Sequence, residues 1–159
     1  MMIRQCAAAA PLLAVLLCGC TISTSEVHDA GDAATGLSPG VTLYYLDGQG
    51  ALVPEFRDAG NLGSMADALD LLLRTAPAPG LHSQLPPDSA ARRPAVSEIG
   101  TEITIEMPYP AAELTAPAVS QLACTALGVH RQSGGKLSTV RIVPSIGETI
   151  GPRGCPLLR

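Results

Sequence analysis

Two carboxylates spaced for chemistry stand in the segment Thr101-Glu102-Ile103-Thr104-Ile105-Glu106-Met107. A pair of acids can divide general-acid and general-base work when one is held protonated and the other ionised. Glu102 and Glu106 are four residues apart in a run that alternates apolar and polar, which predicts a strand with both acids and Thr104 on the face opposite Ile103, Ile105 and Met107. Acids on the polar face of a half-buried strand are read first as solvated groups. His82, followed by Ser83, lies in a proline-rich stretch, where a loop imidazole could act as a base or a metal ligand. No Asp or second His stands near it in sequence to orient it or share a metal. His28-Asp29 has the composition of a catalytic pair but falls in a segment without hydrophobic pattern. No Gly-x-Ser-x-Gly, His-Glu-x-x-His, Cys-x-x-Cys or P-loop pattern occurs, and Gly48-Gln49-Gly50 lacks the third glycine of a dinucleotide fingerprint. These residues imply no catalytic set, no cofactor and no metal.

The five cysteines carry more information. Residues 1–19 run from a short n-region with Arg4 through eleven residues, Ala7 to Leu17, that are apolar throughout, to Cys18-Gly19-Cys20. This is the order of an export signal, and the run falls short of the roughly 20 residues needed to cross a bilayer. Leu17-Cys18-Gly19-Cys20 resembles the lipobox of bacterial lipoproteins, in which a small residue precedes the cysteine that is acylated and becomes the new N-terminus. The resemblance makes Cys20 the lipidation site and the membrane a partner; Cys18 follows the bulky Leu17, and Cys6 has no apolar region before it. Two acyl chains on one cysteine give stable attachment where a single chain is marginal. Cys124 and Cys155 then remain in an oxidising compartment, an even count that points to a disulfide. The tail around Cys155, with Gly147, Gly151, Pro152, Gly154 and Pro156, offers no periodic face by which to dock otherwise. The alternative is two free thiols, partly buried.

Ten Lys and Arg stand against 14 Asp and Glu in 159 residues, a net charge of −4, and the basic residues form no cluster. Nucleic-acid binding, which depends on neutralising phosphates, is disfavoured. Thr21 to Gly40 is rich in Ser, Thr, Gly, Ala and Asp, so residues 20–40 read as a flexible tether reaching roughly 25 Å. Beyond it, Val41–Leu46 and Ala51–Arg57 flank Asp47-Gly48-Gln49-Gly50 and predict a hairpin, with Pro54 confining the second strand to an edge or an irregularity. Ser64 precedes the helical stripe Met65, Ala68, Leu69, Leu72, Leu73, with Asp67 placed for a capping box; Asp67, Asp70 and Arg74 fall on the solvent side. Prolines 77, 79, 86, 87 and 94 make residues 76–94 a long loop. A second helix is expected from Thr115 or Ala116 with Pro117 in its first turn, burying Val119, Leu122, Ala123, Ala126 and Leu127 and ending at Gly128. Leu137–Val143 predicts a last strand. Tyr44, Tyr45, Phe56 and Tyr109 are read as core or core-edge, and the absence of Trp leaves little from which to build a sugar-binding platform.

The order strand, strand, helix, strand, helix, strand, with Leu43-Tyr44-Tyr45-Leu46, Leu52-Val53-Pro54, Leu71-Leu72-Leu73 before Pro77, Gly80-Leu81, Leu85-Pro86 and Gln121-Leu122-Ala123-Cys124-Thr125, resembles the GerMN domain of sporulation and spore-germination proteins and of actinobacterial lipoproteins. The resemblance covers 41–143, leaving 144–159 as a C-terminal tail. One copy is present, and Glu98-Ile99-Gly100 stands where an Asp-Gly-Gly-type turn is usual. It implies an α+β fold, a small sheet of about four strands with two helices on one face, akin to ring-building modules, and a role in protein contacts without catalytic residues. The expectation is a lipid-anchored extracytoplasmic interaction module, bound to an envelope protein or to itself. Its rivals are a wall-associated hydrolase centred on His82 and a small-ligand binder using the apolar surface beneath the 76–94 loop.

Overall fold

The structure, a computed structural model, describes residues 40–60, 63–86 and 93–158. Cys20, His28, Asp29, the leader expected over 1–19 and all but Gly40 of the tether expected over 20–40 lie outside the described residues, as does the middle of the proline-rich stretch, 87–92.

Strands β1 (Val41–Leu46) and β2 (Leu52–Arg57) form an antiparallel hairpin with Tyr44 opposite Pro54 and Leu46 opposite Leu52. The connection follows from Asp47 and Gly50. Asp47 Oδ1 accepts the N–H groups of Gln49 at 2.8 Å and Ala51 at 2.9 Å, while Gly50 takes the left-handed conformation (φ 82°) that a three-residue hairpin loop requires. The Asp47 N–H to Ala51 carbonyl bond sets the alternation of the ladder, so Tyr44 and Pro54 face each other at a position without hydrogen bonds between them. Pro54 therefore costs the pairing nothing. Helix α1 (Met65–Arg74) begins at Ser64, whose Oγ accepts the Asp67 N–H and donates to the Asp67 carboxylate at 2.7 Å. The helix buries Ala68, Leu69 and Leu72 as the stripe requires. It also buries Asp70, 8% exposed, contrary to the expected solvent position: Asp70 accepts from Arg74 Nε at 2.8 Å and lies 3.5 Å from Arg93, two cations that offset its desolvation.

The larger sheet has the order β3 (Ala95–Ile99), β4 (Glu102–Glu106), β5 (Val140–Val143), β6 (Ile150–Arg153), with β4 and β5 parallel and the outer pairs antiparallel. A parallel pair needs a crossover, supplied by α2 (Ala116–Gln132). Thr115 caps α2 by accepting the Ala118 N–H, and Pro117 sits in the first turn where its missing N–H leaves no gap. The helix does not end at Gly128. It continues one turn to Gln132, with Gly134 in the left-handed region (φ 80°) closing it. Gly128 is glycine for another reason: the Tyr44 ring lies against it, 3.4 Å from where a β-carbon would stand.

The α+β architecture, with a four-stranded sheet and two helices, is the one expected from the sequence. The four strands legible in the sequence divide between two sheets, and β3 and β6 complete the larger one. Ile103, Ile105, Val140 and Ile142, all fully buried, form the inner face of that sheet. α2 packs against β1, β5 and α1, so almost every residue from Ala118 to Gly128 is buried. Phe56, expected at the core edge, is 58% exposed because it alternates outward on the outer strand of the hairpin. Tyr44, Tyr45 and Tyr109 are buried. The segment beyond Val143 is not a loose end: β6 pairs with β5, and Cys155 is joined to Cys124 of α2 across a Cα–Cα distance of 4.7 Å.

Candidate functional site: a buried polar cluster and an open sheet face

The free edge of β1 runs past the flank of α2. Its Tyr44 N–H and C=O cannot reach water there and need partners inside the protein. Thr125 Oγ1 accepts the Tyr44 N–H at 3.2 Å, and Gln121 Nε2 donates to the Tyr44 carbonyl at 3.0 Å. Gln121 and Thr125 are both fully buried, one helical turn apart, so they meet one strand residue together. Gln121 also accepts the Gln84 N–H at 2.9 Å, which draws the loop after α1 onto the same cluster. Two residues earlier, His82 pairs with Leu46 through its backbone, at 2.8 and 2.9 Å. The first part of the 76–94 loop is thus held along β1, and Glu55 and Arg57 of β2 bind its Ala78 N–H and Ala76 carbonyl.

His82 itself presents an exposed imidazole. The imidazole lies on the side of the hairpin turn, where it adds weakly to the lowering of the Asp47 carboxyl, and that carboxylate is committed to the turn itself. The N–H of Ala51, then that of Gln49, holds the Asp47 carboxyl below its ordinary range. A shallow groove of about 370 Å³ lies beside the loop, lined by Ser83, Gln84, Leu85, Pro86 and Glu113, next to His82 in sequence but not including it.

Glu102 and Glu106 share the outer face of β4 as the alternation requires, but they are not brought together. Four residues of strand separate them by roughly 13 Å, beyond the ~5–9.5 Å of a working carboxylate pair. Glu102 is bound by Arg141 of β5, whose Nε and a terminal nitrogen both reach one carboxylate oxygen, at 2.8 and 2.6 Å. Glu106 lines a separate groove of about 320 Å³ with Arg93 and Ser145 at the ends of β4 and β5.

One polar residue absent from the sequence reading emerges as an anchor. His130, 7% exposed near the end of α2, donates from Nδ1 to Glu98 of β3 at 3.0 Å and accepts the Leu137 N–H at Nε2 at 3.1 Å. Gly135 passes so close that a β-carbon there would overlap the ring. No periodicity marks His130, because its partners come from a loop and from a strand that the sequence pattern does not reveal. Among the described residues no three His, Cys, Asp or Glu side chains are grouped as a metal site, and no helix is long and apolar enough to cross a membrane.

On the outer face of the larger sheet Ser97, Ile99 and Glu106 stand exposed, while Thr104 is buried beside the Glu102–Arg141 pair. Comparison with family models, with curated proteins and with solved structures returns no match for this chain.

Proposed function

We propose that the chain is a lipid-anchored extracytoplasmic domain of GerMN type that acts by contacting protein rather than by chemistry. The observation that carries the reading is how its polar side chains are spent. Gln121, Thr125 and His130 bind the chain's own backbone, Glu102 binds its own Arg141, and Ser97, Ile99 and Glu106 on the outer face of the larger sheet are exposed for contact. The Cys124–Cys155 bond supports an oxidising compartment, since such bonds persist outside the reducing cytosol. The Leu17-Cys18-Gly19-Cys20 pattern supplies the anchor, and the order of motifs from Leu43 to Thr125 supplies the family resemblance.

In-cell cross-linking followed by affinity capture from membranes tests the reading. The wild-type chain is expected to bring down a defined set of envelope proteins, itself included, and Cys20→Ala to lose most of it. An identical capture by both forms, or none by either, would contradict a contact role at the membrane.

A further inference from the structure

The imidazole of His130 is buried and is held at its two nitrogens by different parts of the chain. A backbone N–H can only donate, so the 3.1 Å bond from Leu137 fixes Nε2 as an unprotonated acceptor. The ring proton then sits on Nδ1 and is donated to Glu98 at 3.0 Å. Both bonds are made at once only by the neutral ring in this one tautomer. An added proton can go only to Nε2, where it meets the Leu137 N–H as donor against donor.

The surroundings decide which contact gives way. A charge on the ring strengthens the bond to the Glu98 carboxylate of β3, which is half exposed. The last carbonyls of α2, the negative end of that helix, favour the same charge at His130. On the loop side the only charge is Lys136, between Gly135, which touches the ring, and Leu137, and its ammonium repels a charged ring. Arg131, next along α2, is turned to the Leu158 carbonyl at 2.7 Å. The segment able to move is short. The Gly135 N–H is bonded to the His130 carbonyl at 2.8 Å and the Thr139 carbonyl to the Ile103 N–H at 3.0 Å, so the loop is pinned on both sides of 136–138. We propose that His130 is a proton-operated latch. Neutral, it clamps the loop between α2 and β5 through the Leu137 N–H; charged, it keeps Glu98 and releases residues 136–138. Leu137, packed against the core from its edge, moves with them. The latch requires neither a lipid anchor nor a partner, and it gives this end of the domain two states between neutral and mildly acid surroundings.

Backbone and imidazole NMR of the isotope-labelled full chain, followed from about pH 8 to about pH 5, reads the latch directly. The His130 ring signals and the Leu137 amide signal should move together with one midpoint. Hydrogen exchange, corrected for the pH dependence of the free-chain rate, should show the protection of the Leu137 amide falling roughly tenfold across that midpoint. The Gly135 and Ile103 amides, whose bonds the latch leaves alone, should stay protected. Glu98→Gln keeps an acceptor for Nδ1 but withdraws the charge that steadies the protonated ring, and should move the shared midpoint to lower pH. A ring that titrates without Leu137, a ring that stays neutral until the domain unfolds, or loss of all three amides together overturns the latch. So does a midpoint that Glu98→Gln leaves unmoved.

Discussion

Gln121 does the work of a missing β-strand. A strand edge buried against a helix leaves backbone groups that only side chains can satisfy, and a glutamine one turn from a threonine supplies a donor and an acceptor to the same residue, Tyr44. Gln121→Leu keeps the volume but orphans the Tyr44 carbonyl and the Gln84 N–H. Chemical denaturation should show a loss of about 2–4 kcal/mol, and a loss below half that would mean the loop reaches other partners. Asp47 makes the complementary point in the exposed turn. Its folded-state pKa is depressed, first by the Ala51 N–H and then by that of Gln49. Its contribution to stability is therefore present above the unfolded value and lost as pH falls through the folded one. Thermal midpoints followed from neutral to acid pH should fall less steeply for Asp47→Asn than for the wild type; parallel curves would show that the turn does not depend on the ionised carboxylate.

At the scale of elements, what the sequence reveals is what repeats. β4, β5 and both helices are legible because their apolar residues recur at two or at three and four, β1 because a β-rich run ends at turn residues, and Ser64 and Thr115 sit at the helix N-caps. β3 is not, because Ala95-Val96-Ser97-Glu98-Ile99 directs Val96 and Glu98 to the inner face and Ile99 outward, the reverse of a half-buried pattern. β6 hides behind Gly151 and Pro152. Gly128 reads as a stop from sequence alone, since nothing local reveals that Tyr44, more than 80 residues earlier, packs against it. The same limit applies to the polar cluster: Gln121 and Thr125 are visible as a motif, but their task depends on which strand edge the helix meets. The alternation puts Glu102 and Glu106 on one face, as the structure has them, and strand geometry sets how far apart they stand.

Across the whole molecule, the Cys124–Cys155 bond closes a loop of 31 residues and ties α2 to the chain beyond β6. In the chain-entropy account such a loop is worth about 3–4 kcal/mol, a large part of the ~5–15 kcal/mol of an ordinary domain. Reduction should lower the thermal midpoint by roughly 10–20 °C and open the tail to trypsin at Arg153. Two alkylatable thiols at Cys124 and Cys155 in the unreduced protein would contradict this. A domain stapled in this way is suited to an exposed, oxidising setting, the setting that the proposed lipid anchor at Cys20 requires.

The central claim, a domain held at the membrane face through one acylated cysteine, is tested most directly by metabolic labelling with a fatty-acid analogue. The wild-type chain should take up label and remain with membranes, and Cys20→Ala should take up none and accumulate as uncleaved precursor or shed protein. Label on the Cys20→Ala chain, or an unlabelled wild-type chain, would contradict the account.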